Sequence, residues 1–141
     1  MSAPALRGHV DVVMAALDSA GLKPYRGVGP ADPLGSVPYC VVYAGTATMD
    51  GPMGGMWDDA HAEVQVTSVG KRSDQAELWN DKVFAALVGQ ALPPPSGRAW
   101  LRPTACAGHV LTRPVTRDDD FGVQTPMFYQ VSIFELPSTP T

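Results

Sequence analysis

Charge is scarce in this sequence. Asp, Glu, Lys and Arg make up 17% of its 141 residues, against roughly 25% in an ordinary soluble domain. Only three lysines occur, no Lys/Arg run exists, and the net charge is −4. Nucleic-acid binding by counterion release needs a basic stripe, so a dedicated nucleic-acid binder is excluded. An exterior with so little charge is suited in part to face protein rather than water. No apolar run approaches the ~20 residues of a membrane-crossing helix, so no membrane partner is expected. The opening segment MSAPALRGHVD lacks the long apolar stretch of a secretory signal, and none is expected. Cysteine is nearly absent. Cys40 and Cys106 form no C-x-x-C pair, which argues against a disulfide framework and for a reducing compartment.

What is present reads as one α+β domain with a mostly antiparallel mixed sheet of about four or five strands. Two helices are expected on one face of that sheet. Leu6, Val10, Val13, Met14 and Leu17 recur at helical spacing and predict a helix over 5–20, stopped by Gly21. Val12 points away from that stripe, as a surface valine or a subunit contact. Residues 22–37 hold three prolines and three glycines and read as a long irregular connection. Pro38–Tyr43 is apolar on both faces, as in a strand covered on two sides. The segment 45–59, GTATMDGPMGGMWDD, is too rich in glycine for a regular element. Its Met49, Met53, Met56 and Trp57 suit a partner-binding loop; the alternative is that Trp57 folds back on the core.

Strict alternation over 60–69 puts Ala62, Val64 and Val66 on one face and His61, Glu63, Gln65 and Thr67 on the other. Ser73 is a candidate cap for a helix over about 74–88, with Ala76, Trp79, Val83, Ala86 and Leu87 inward and Leu78 outward. Residues 98–106 and 109–116 read as two edge strands around Ala107-Gly108, because Pro103 and Pro114 remove ladder donors. Residues 127–136 make a last strand, and 137–141 read as a frayed tail.

Chemistry finds little support. His9, His61 and His109 have no ligand partners at i+2 or i+4, and Asp58-x-x-His61 lacks a third ligand. Asp118, Asp119 and Asp120 fall short of a calcium-loop pattern and read as a solvated acidic turn. No Gly-x-Ser-x-Gly elbow or phosphate loop occurs. Cys106 and His109 could approach across a turn, but no orienting third group is implied. The residues therefore point to no enzyme, no metal and no cofactor.

Several segments carry a family likeness. They are the amphipathic N-terminal helix, the loop leading to Pro38-Tyr39-Cys40-Val41-Val42-Tyr43, and the Gly-rich segment after it. Glu63–Gly70, the helix start Arg72–Trp79, Arg117–Asp120 and Pro126–Val131 complete the set. Over about residues 5–136 the chain resembles the tail terminator (tail completion) proteins of long-tailed bacteriophages, of the type found in actinobacteriophages. The Ala, Gly, Pro, Arg and Val bias, with a single Ile, suits a GC-rich genome.

The resemblance implies a structural virion protein, made in the bacterial cytoplasm and placed at the neck-proximal end of the tail. There it forms a ring of itself, commonly a hexamer. The ring ends polymerisation of the major tail tube protein and offers a surface to the head-completion or connector protein, with DNA only as passing cargo. It implies no catalytic residue. On this reading the interface residues are Val12, Met49, Met53, Met56, Trp57, Leu78, Asp118, Asp119 and Asp120, the aspartates facing the lumen or an adjoining Arg. The alternatives are a head–tail connector, a minor tail protein, or a small non-viral protein-binding adaptor domain.

Overall fold

The computed structural model describes residues 6–50, 59–106, 109–118 and 126–141. Met53, Met56, Trp57, Asp119 and Asp120 lie outside them, and Met49 is described by its backbone alone. In chain order the elements are α1 (Leu6–Ser19), β1 (Pro24–Arg26), α2 (Pro33–Ser36), β2 (Tyr39–Asp50) and β3 (Asp59–Gly70). Then come α3 (Ser73–Leu87), β4 (Arg98–Trp100), β5 (His109–Thr112), β6 (Thr116–Asp118) and β7 (Met127–Pro140). The fold is α+β, as expected. Among the described residues its sheet has seven strands rather than four or five, because four of them are only three or four residues long.

α1 stops where the glycine predicts. Gly21 takes φ 75°, its N–H donates to Asp18 O, and the Leu22 N–H reaches back to Leu17 O at 3.0 Å. That is the Schellman pattern, which needs a left-handed residue at this position. Three expectations about local structure are corrected. Residues 22–37 are not wholly irregular: Pro24–Arg26 pairs parallel with Cys40–Val42, and Asp32 caps the short α2 through its carboxylate. Residues 45–50 are strand, because a register shift between Ala44 and Ala47 absorbs Gly45. A Cβ on Gly45 would lie 2.7 Å from Glu63 O, so that close approach requires glycine. Ser73 is the first residue of α3 and not its cap. Arg72 occupies the cap position with no side-chain bond to the helix backbone. The Gln75 side chain instead accepts from the Lys71 N–H at 2.8 Å.

The sheet order is β1-β2-β3-β7, and β4, β5 and β6 all line the outer edge of β7. The hairpin expected around Ala107-Gly108 is therefore absent: β4 pairs with 138–140 and β5 with 132–134, each on β7 rather than on each other. The C-terminal segment is not frayed. β7 runs to Pro140, Ser138 is fully buried, and the Thr141 N–H donates to Gly97 O at 3.0 Å.

α1 and α3 share one sheet face. Val10, Val13 and Leu17 of α1 and Val83 and Leu87 of α3 bury against Cys40, Val42, Val64, Val66, Phe134 and Leu136. Trp79 adds a polar tie, its Nε1 donating to Leu22 O at 3.1 Å. Phe134 is the largest fully buried side chain among the described residues, and its ring centroid lies 6.3 Å from that of Phe84. Phe134→Ala is expected to cost about 3–5 kcal/mol by leaving a cavity, a large part of a typical domain's stability. Urea unfolding checks this. A loss under about 1 kcal/mol would mean the helices do not rest on this ring.

Candidate interaction surfaces

Strand alternation leaves a second sheet face that neither α1 nor α3 covers. Cross-strand register lines up Tyr39, Val69 and Tyr129, then Val41, Thr67 and Val131, then Tyr43, Gln65, Ile133 and Leu111. Tyr39, Val41, Val69 and Met127 make a small cluster of their own, with Tyr25 edge-on to Tyr39 at 5.7 Å. Burial pushes the Tyr39 hydroxyl above its ordinary pKa of 10.0, helped by Tyr43, Asp118 and Tyr25 nearby. Further along the rows the cover thins. Tyr43 is 37% and Leu111 42% exposed, beside an open depression of about 380 Å³. Glu63 stands opposite Glu135. The like charges are offset by Arg102, 3.6 Å from Glu135; the His61 ring lies 4.0 Å from the same carboxylate.

Residues nominated by the sequence fall in different places. Leu78 points outward at 52% exposure, as expected. Val12 does not: at 9% exposure it lies in an open cleft that it lines together with Ala16, Ala86 and residues 90–93, so the chain after α3 flanks that side of α1. Asp118 is half-buried on β6, opposite Met127. The Met49 backbone pairs with Ala60 near the end of the β2–β3 ladder. That end lies about eleven residues along the sheet from Asp118, roughly 36 Å. The Met/Trp segment and the acidic tract therefore leave opposite ends of one sheet.

The polar groups of the interior act as ties. His9 Nε2 lies 2.9 Å from Ser138 Oγ, which also accepts from Arg98 Nε at 2.7 Å. His9 packs edge-on against Trp100, and Arg98 also donates to Ser138 O. His9 and Ser138 are fully buried, so this Ser–His pair has no access to a substrate. It joins α1, β4 and β7. Cys40 is likewise sealed, donating to Leu22 O at 3.4 Å, and burial pushes its thiol up to about 12. His61 sits on the open face and His9 in the core. The His109 side chain, and with it the expected approach to Cys106, lies outside the described residues. Among the described residues no three His, Cys, Asp or Glu side chains gather as metal ligands do.

Sequence reasoning missed Asn80. It occupies an inward position of α3 at 7% exposure. Its Oδ1 accepts from Ser132 Oγ at 2.7 Å, and Ser132 lies 3.0 Å from Thr112 Oγ1. Asn80 forms the floor of an open groove of about 620 Å³ between α3 and the β5–β6 connection. A polar residue four positions after the buried Ala76 was the available signal.

Neither a protein-family model nor a curated protein matches the sequence. Solved structures do. One chain in a structure described as the virion of a native gene transfer agent (GTA) particle matches at a TM-score of 0.53 and 15% identity. The alignment covers 96% of this chain and 94% of that one. At that identity the likeness is one of fold. With Cys40 buried and its thiol protonated, a maleimide is expected to leave it unlabelled at neutral pH until denaturant is added. Mass spectrometry of the labelled peptide checks this, and rapid native labelling would contradict the sealed position. Among the described residues, the sheet face opposite α1 and α3 and the α3 groove are the open surfaces.

Proposed function

We propose that this chain is a structural virion protein, not an enzyme. In this reading it closes the head-proximal end of a phage tail tube as a ring, commonly a hexamer, and presents a docking surface to the head. The observation that carries the reading is the fold likeness to a chain of the gene transfer agent virion over nearly the full length of both. The sequence resemblance to tail terminators points the same way. So do the low charge and an open sheet face bearing Tyr43 and Leu111. The reading assigns the Met49–Trp57 segment to the tube or the adjacent subunit, and Asp118, Asp119 and Asp120 to the lumen or a neighbouring Arg. Leu78 contributes a subunit contact.

Electron microscopy of particles made without this gene tests the role. Overlong or headless tails are expected. Tails of normal length that merely fail to join heads would favour the connector alternative. Replacing Met53, Met56 and Trp57 together with Ser is expected to leave a folded protein, by circular dichroism, that no longer limits tail length. Tails of normal length in that mutant would remove the segment from the interface.

A further inference from the structure

The groove under α3 is built around an unspent donor. Thr112, Ser132 and Asn80 form a relay in which the Asn80 carbonyl oxygen accepts from Ser132. With the amide so oriented, and among the described residues, its Nδ2 has no protein partner. Asn80 lines the groove, so an acceptor seated there meets this N–H2 directly. Glu77 and Asp81 stand exposed on one wall, with Phe84, Pro114 and Val115 as the apolar remainder. The groove thus asks for a carbonyl oxygen, a small apolar side chain and positive charge.

The opposite edge of the same sheet offers those three. β1 lies there, across the sheet from β5 and β6 by four strand spacings, about 19 Å. After it the chain runs Arg26-Gly27-Val28-Gly29. Val28 is 74% exposed, the most exposed large apolar side chain among the described residues. Its glycine neighbours leave the backbone carbonyls open to approach, and Lys23 and Arg26 flank it on the surface. Arg26 spends Nη1 on Asp11 and Nη2 on Arg7 O, and Lys23 spends one proton on Ser36 O; each nitrogen carries further N–H bonds that face outward.

We infer that the loop after β1 of one copy seats in the α3 groove of the next, Val28 against Phe84 and Val115, a glycine carbonyl on Asn80 Nδ2, and Lys23 and Arg26 facing Glu77 and Asp81. Two different patches on opposite edges make a head-to-tail contact, the kind that closes a ring of identical subunits. The inference rests on the ring reading above and names the surfaces that meet.

Disulfide trapping tests it. The native cysteines are buried, so a Val28→Cys/Val115→Cys double variant reports this contact alone. Under mild oxidant it is expected to give a ladder of linked copies on a non-reducing gel, in concentrated protein or in particles. Either single variant gives none, and a mixture of the two singles gives one linked dimer. Glu77→Lys with Asp81→Lys in the double-Cys background should suppress the ladder, and adding Lys23→Glu with Arg26→Glu should restore it. Absence of a ladder in both settings overturns the inference. So does equal linking by the singles, or linking of Val115→Cys to a different virion protein. A ladder alongside normal tails in particles lacking the gene would keep the contact and dismiss the capping role. Overlong tails without a ladder would do the reverse.

Discussion

β7 is paired along both edges, and the rest of the molecule is arranged around that fact. One edge is taken by β3 from Ala60 to Gly70, and the other by β6, β5 and β4 in turn. Its inward side chains, Ser132, Phe134, Leu136 and Ser138, are all buried beneath the helix layer. Burying Phe134 and Leu136 together contributes several kcal/mol. The two serines carry no such gain, and each is matched by partners from other elements. Ser132 meets Asn80 and Thr112; Ser138 meets His9 and Arg98. Those polar bonds set where α1, α3 and the short strands stand along β7.

This arrangement explains how a chain with few charges keeps a distinct outer surface. One sheet face is spent on α1 and α3. The other is left to side chains such as Tyr43, Gln65, Ile133 and Leu111, which are neither sealed nor strongly solvated. Isolated exposed apolar residues are common on soluble proteins. Here they are ordered in rows by strand register, which gives a flat, repeating surface of the kind another protein can match. The two segments of most unusual composition leave opposite ends of the same sheet.

The polar ties also bear on the chemistry that the composition left open. A serine beside a histidine, or a cysteine near one, is a possible nucleophile only when a reacting group can approach. His9 and Ser138 are closed off between α1 and the sheet, and Cys40 is held protonated in the core. Their positions are those of packing and registration.

The periodic segments were legible because local pattern decided them. Val10, Val13 and Leu17, the alternation of Ala62, Val64 and Val66, and the Gly21 stop each depend on neighbours within one turn or one strand. What depended on distant partners was not legible. Residues 24–26 became a strand because β2 offered a free edge, and 45–50 because a bulge at Gly45 let the ladder continue. Residues 98–112 were divided between two stretches of β7 rather than paired together. The tail was ordered by Arg98 and Gly97, some forty residues upstream. The sequence by itself determined the α+β class, the helix stripes and the scarcity of charge. Only tertiary structure decided the strand partners, the buried fate of Val12 and the groove at Asn80, because hydrogen bonds between remote residues carry no local periodicity.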